Sequence, residues 1–238
     1  MSFDIPRNVI LPVDAVDVRL DPGPHPFESE NAGAIERNWQ AETAANPALF
    51  DGTVMLLSRL AYTNRRLEGR CHAIRFATFM LWRRRQPVPT AEHAFAHAML
   101  VSRDNALVAI RMGGHTVNAG SVYFAAGSFE PVDFIDGRAD VDLNMMREVE
   151  EETGLDLRKA RREPLYHALS TARGTVIFRR YFLDADADDI AAGIRAFVAA
   201  DPEPEIVGPV VIRGKDDLPE GLKPHMLPLI DWHFSRTQ

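Results

Sequence analysis

Asp142-Leu143-Asn144-Met145-Met146-Arg147-Glu148-Val149-Glu150-Glu151-Glu152-Thr153-Gly154-Leu155 is the stretch on which the reading of this chain turns. At roughly 100° per residue, Glu148, Glu151 and Glu152 fall on one arc, while Leu143, Met146 and Val149 lie towards the opposite side. The spacing predicts a helix with one carboxylate face and one core face. Asp142, with Asp140 just upstream, is placed to cap its start, and Gly154 to end it in the left-handed conformation. Four glutamates within five residues repel one another, and acids near a helix C-terminus also oppose its dipole. Charge spacing alone admits two readings. One is a solvated acidic face neutralised by Arg147 and nearby cations; the other is a site for hard, oxygen-seeking Mg²⁺, with Mn²⁺ as a substitute.

Working outward, Val54 to Tyr62 and Leu67 to Phe76 read as two strands around Asn64-Arg65, with a helix across Phe76 to Arg85. Upstream, the first ~30 residues suggest an extended arm or edge strand, and a helical spacing runs from Asn31 to Ala45 until Asn46-Pro47 stops it. Pro87 and Pro89 break the chain, and the domain boundary is expected in Gln86 to Ala91, giving a domain over residues 1–90 and another over 91–238. In the second, Ala96 to Val101 and Leu107 to Arg111 are strand-like runs joined through Arg103-Asp104-Asn105, and Ser121 to Ala125 supplies another strand. After the glutamate stretch come strands at Leu165 to Ser170, Thr175 to Leu183 and Ile206 to Ile212, and helices at Asp188 to Ala199 and near Leu222 to Phe234. Strands mixed with a few segregated helices indicate an α+β sandwich.

Composition narrows the partners. With 46% hydrophobic and 26% charged residues the chain is of the soluble, globular kind rather than disordered. A net charge of -7 disfavours a nucleic acid polymer as principal ligand, because phosphate contacts need a basic surface. Two basic spots, Arg83 to Arg85 and the Arg158, Lys159, Arg161, Arg162 group, read as solvated helix faces and are assigned no ligand. Cys71 is the single cysteine, which excludes an intramolecular disulfide and a thiolate metal cluster. The start Met1-Ser2-Phe3-Asp4-Ile5-Pro6 has no basic segment followed by an apolar one, and no apolar run is long enough to span a bilayer, so a cytoplasmic protein without a membrane partner is expected.

The nine residues Arg147-Glu148-Val149-Glu150-Glu151-Glu152-Thr153-Gly154-Leu155 resemble the second half of the Nudix box, Arg-Glu-apolar-x-Glu-Glu-x-Gly-apolar, at all seven fixed positions. Phe124-Ala125-Ala126-Gly127-Ser128-Phe129-Glu130 resembles the approach into that box, Phe-Pro-Gly-Gly-x-x-Glu. The spacing departs from the family's pattern: Gly127 lies 20 positions before Arg147 (147 minus 127) rather than the family's usual 14. Ala139 therefore stands at the usual position of the first box glutamate and Asp133 at that of the glycine, with Asp136, Asp140 and Asp142 as candidates to stand in for the glutamate.

The resemblance implies a Nudix-type α/β/α sandwich with a mixed sheet over residues 91–238, preceded by a smaller α+β subdomain, and a hydrolase cleaving the diphosphate linkage of a small nucleotide-derived molecule. It implies that Glu151 and Glu152 bind Mg²⁺, that Glu148 binds metal or serves as base, that Arg147 orients a carboxylate, and that the Ala126 carbonyl is a further ligand. An additional acid from a later loop is expected at Glu205 or Glu203. Arg111, before Gly113-Gly114, and Gly127 are the expected substrate contacts, a surface salt bridge being the alternative for Arg111. Trp39 through Asn46-Pro47-Ala48-Leu49-Phe50-Asp51-Gly52 is similar to the front segment of Nudix proteins that cleave UDP-sugars, and Asn118 to Phe124 is similar to the approach segment of coenzyme A diphosphatases. Two other readings use the same fold: a nucleotide sensor without catalysis, motivated by the missing first glutamate, and an isomerase, for which no further acid and base are identified. A homodimer is compatible with the sequence.

Overall fold

A computed structural model describes residues 3–236; the two residues at each end of the chain, which belong to the expected domains, lie outside the described residues. The strands are β1 (Phe3–Asp4), β2 (Ile10–Val13), β3 (Ala15–Leu20), β4 (Thr53–Thr63), β5 (Arg66–Arg75), β6 (Ala94–Val101), β7 (Leu107–Met112), β8 (Val122–Tyr123), β9 (Phe134–Ile135), β10 (Arg138–Ala139), β11 (Arg161–Arg162), β12 (Tyr166–Thr171), β13 (Gly174–Phe182) and β14 (Ile206–Ile212). The helices are α1 (Pro26–Ala45), α2 (Phe76–Arg85), α3 (Val141–Thr153), α4 (Ala187–Ala200) and α5 (Met226–Phe234). The fold is α+β, as expected, with a six-stranded sheet in the order β1-β4-β5-β3-β10-β9 and an eight-stranded one in the order β14-β7-β6-β13-β12-β2, β11 lying beside β13 and β8 beside β7. Among the described residues no helix is long and apolar enough to cross a membrane.

By internal contacts the chain divides into two units, the first from Met1–Ala96, Gly127–Asn144 and Leu165–Ile177, the second from His97–Ala126, Met145–Pro164 and Phe178–Gln238. The boundary expected at 86–91 lies inside the first of these.

The first unit is organised by the β4–β5 hairpin. Asn64 and Arg65 both take positive φ, 50° and 60°, which is what a two-residue turn matching the twist of the strands demands. The sheet is mixed, because β3 and β5 run parallel while β4 and β5 are antiparallel. On one side of it the apolar residues of α1 and α2, among them Phe27, Ile35, Phe79 and Trp82, pack with Val54 and Leu56 into one buried cluster. Helix α1 starts at Pro26, earlier than the spacing from Asn31 predicts, because Pro26 fits the first helical position and the buried His25 ring accepts the Phe27 N–H at 3.0 Å.

In the second unit β7 is flanked by β14, antiparallel from Ile206 opposite Met112 to Ile212 opposite Leu107, and by β8, with Tyr123 opposite Ile110. The β6–β7 hairpin turns at Asn105, in the left-handed region at φ 62°. Helix α5 begins at Met226, not near Leu222 as the sequence suggests; the N–H of Lys223 instead bonds the carbonyl of Val122, which keeps that residue in a β-like connection.

Candidate functional site

Helix α3 forms where the sequence places it. Its start is capped by Asp140, whose carboxylate accepts the Leu143 N–H at 3.0 Å, and Gly154 ends it at φ +72° with its N–H on the Glu150 carbonyl. Gly154 is doubly required, since a Cβ there would lie 2.5 Å from the Phe197 ring on α4.

The two faces of α3 differ from the expected ones. Met145 and Val149 are fully buried, and Glu148 and Glu152, at 7% exposure each, share their side of the helix. Residues 145, 148, 149 and 152 form one helical stripe, whereas Leu143 and Met146 are only half-buried and Glu150 and Glu151 are exposed. Apolar side chains occupy positions 143, 145, 146 and 149, so the sequence offers more than one apolar side and the neighbouring structure selects among them. Burying Met145 and Val149 contributes roughly 1.5–3 kcal/mol each. The same packing carries two carboxylates inward, which is costly unless each is hydrogen-bonded or paired.

Arg147 supplies part of that compensation. Its guanidinium reaches Glu148 Oε1 at 2.7 Å and Glu151 Oε2 at 2.9 Å, while its own side chain is 17% exposed. The Glu152 carboxylate accepts the backbone N–H of Ala126 at 3.0 Å. That one bond does not offset its surroundings: burial, and next the negative charge of Glu148, raise the Glu152 pKa well above the usual carboxylate range, with Glu205 and Glu151 adding to the push and the Ala126 N–H opposing it. Sequence reasoning singled out the Ala126 carbonyl; the structure shows its N–H meeting a site carboxylate.

Glu205 stands exposed just before β14, near enough for its charge to act on Glu152. Its carbonyl accepts the Gly113 N–H at 2.7 Å, and a Cβ on Gly113 would stand 2.8 Å from that same oxygen, so only glycine lets the two strands close here. Gly113 is the positioning residue that sequence reasoning passed over, although the Gly113-Gly114 pair was its visible signal. Glu203 is exposed, its N–H turned onto the Asp201 carboxylate at 3.0 Å. Arg111 donates from Nη1 to the carbonyls of Gly120 and Glu220, at 3.1 Å each, so that nitrogen is committed to backbone rather than to a surface salt bridge. Gly127 is half-buried, directly after Ala126.

Helix α3 and its neighbouring segment thus put Arg147 in contact with Glu148 and Glu151, and Ala126 in contact with Glu152, with the charge of Glu205 acting on Glu152 from nearby. Among the described residues, however, no three His, Cys, Asp or Glu side chains converge closely enough to hold a metal ion as they stand. The donor set itself, all carboxylate with its buried member crowded by other acids, is of the chemistry that Mg²⁺ or Mn²⁺ takes.

No protein-family profile and no curated protein matches this chain. Among solved structures it is similar to the MutT protein of Methanosarcina mazei Go1, at 14% identity over 62% of this chain and 96% of that one, with a TM-score of 0.42. It is also similar to a MutT Nudix hydrolase from Burkholderia pseudomallei (17% identity, 62% and 98% covered, TM-score 0.36) and to a mutT/nudix family protein from Listeria innocua (14%, 60% and 92%, TM-score 0.42). These are Nudix and MutT structures. Ala139, which the sequence resemblance sets against the first box glutamate, is buried in β10. Of the three acids weighed as stand-ins for that glutamate, Asp140 caps α3, Asp136 sits in a left-handed turn at φ 51°, and Asp142 occupies the first turn of the helix.

Proposed function

We propose that this chain is a Nudix-type hydrolase that uses a divalent metal ion to cleave the diphosphate linkage of a nucleoside diphosphate joined to another moiety, a nucleotide sugar being the favoured substrate class. The observation that carries this reading is Glu152, a buried carboxyl pressed by Glu148 and Glu205 and held by the Ala126 N–H. A protein gains nothing in stability from that arrangement; a cation that neutralises it supplies the reason for it.

Glu152, Glu151 and Glu148 with the Ala126 carbonyl would hold Mg²⁺ or Mn²⁺, Glu148 and Glu151 giving up the Arg147 guanidinium to do so. The ion, when bound, supplies neutralisation of phosphate oxygens and a more acidic water. Glu205, or Glu148, accepts the proton of the attacking water, a role contributing typically about 10²- to 10⁴-fold; Glu203 is the weaker candidate. Arg147 positions Glu148 and Glu151. Arg111, through guanidinium nitrogens other than Nη1, and Gly127 serve the phosphate side of the substrate.

A second reading, a nucleotide sensor that binds without cleaving, is favoured by Ala139 and by the ion pairs that keep Glu148 and Glu151 on Arg147. The test is a panel of nucleoside-diphosphate sugars, ADP-ribose, dinucleotides and coenzyme A with Mg²⁺ or Mn²⁺, followed by release of phosphate-bearing products. Turnover of one class, lost in Glu151→Gln and Glu152→Gln with the fold retained, is the expected result. Binding without turnover selects the sensor, and turnover unchanged by both substitutions removes the metal assignment.

A further inference from the structure

We propose that Arg161, Phe182, Arg180, Trp232 and Arg236 form a second anion-binding surface, independent of metal, that takes a phosphate chain bearing several negative charges. Strand β11 pairs with β13 so that Arg161 stands directly opposite Phe182, and its guanidinium carbon lies 3.7 Å from the centre of that ring. Arg180 lies 5.5 Å from the Phe182 ring and 4.9 Å from the Trp232 ring, and Arg236 is 4.9 Å from Trp232. Cations and rings therefore alternate along one run of contacts.

Stacking uses the face of a guanidinium and leaves its N–H donors in the plane, fixed in direction and ready for a phosphate. The neighbouring cations are otherwise committed. Arg158 and Lys159 are on Asp156, and Arg180 makes a two-pronged pair with Glu163 at 2.7 and 3.1 Å. Arg161 and Arg236 are exposed, and among the described residues neither guanidinium has an acidic partner. On a chain of net charge -7 this leaves a local positive spot, stiffened by aromatic rings, within the basic group to which the sequence assigned no ligand. Because Phe182, Arg180 and Trp232 intervene between the two outer guanidinia, a single phosphate engages at most one of them, and an anion carrying several phosphates is drawn by the summed charge of the run.

The test is calorimetric titration of the full chain with sodium tripolyphosphate and, separately, orthophosphate, in EDTA at constant ionic strength. Tripolyphosphate is expected to bind more tightly than orthophosphate, with each of Arg161→Ala and Arg236→Ala weakening it about tenfold, as expected for loss of charge-assisted hydrogen bonds. Arg161→Lys keeps the charge but loses the planar stack, and should weaken it nearly as much. Arg158→Ala, which removes an equal charge from the same segment, should change it less than about twofold, since that cation already sits on a carboxylate. Absence of tripolyphosphate binding by the unaltered chain, equal weakening by Arg158→Ala and Arg161→Ala, or full binding by Arg161→Lys would each overturn the proposal. Thermal melts of the variants guard against a loss caused by unfolding.

Discussion

Replacing Glu152 by glutamine should stabilise the metal-free protein while removing its activity, and the gain should depend on pH. An ordinary glutamate titrates at about 4.3, and burial together with Glu148 raises Glu152 well above that range. An acid whose pKa is higher in the folded than in the unfolded chain binds more protons when folded, so stability falls as pH rises from the unfolded value through the folded one. The amide side chain does not ionise and escapes that fall. It keeps an oxygen to accept the Ala126 N–H, losing only the charge assistance, roughly 1 kcal/mol. A buried charge left without a neutralising partner costs about 3–5 kcal/mol. Glu152 retains one backbone donor, which places it at the lower end, so the net gain once pH exceeds the folded pKa is roughly 2 kcal/mol. For a chain of this length that corresponds to roughly 4–8 °C in melting temperature. Melts of both proteins in EDTA from pH 4 to pH 8 should show the variant's advantage absent or reversed near pH 4 and growing steadily above it. A variant less stable than the parent at pH 8, or an offset that does not change with pH, would refute the assignment of Glu152 as a buried, charge-stressed acid.

Other outcomes follow from the same geometry. Arg147→Ala leaves the nearly buried Glu148 without its 2.7 Å partner and should cost about 1–3 kcal/mol of stability, read by urea denaturation, with a drop in turnover of at least about tenfold. Glu205→Gln should lower turnover by about 10²-fold, whereas Glu203→Gln, in the turn whose N–H is held by the Asp201 carboxylate, should leave it within about twofold; steady-state rates on whichever substrate the panel reveals decide between them.

The local parts of this molecule were legible in the sequence. Asn64-Arg65 marked the β4–β5 turn and Gly154 the end of α3, because each acts through its own backbone conformation. Strands β9 and β10 were not foreseen: each is only two residues long, and they exist through pairing with each other and, for β10, with β3 far away in sequence, Arg138 opposite Arg19. The identity of the acids could be read from the motif, but not their environment. Glu148 and Glu152 went to the buried side because Met145 and Val149 did, a choice that a helix with apolar residues on several sides leaves to its neighbours. Glu205 and Glu203 are equivalent acids in sequence and distinct in space, since the Gly113 contact fixes the chain at Glu205 alone.

The central claim is that these carboxylates receive a divalent cation, and titration of Mn²⁺ into the metal-free protein, followed by loss of the free-ion electron paramagnetic resonance signal, tests it most directly. Uptake by the unaltered chain that is abolished in Glu152→Gln and weakened in Glu148→Gln, both variants remaining folded, is the predicted result. Uptake equal in all three proteins, or none in any, would contradict it.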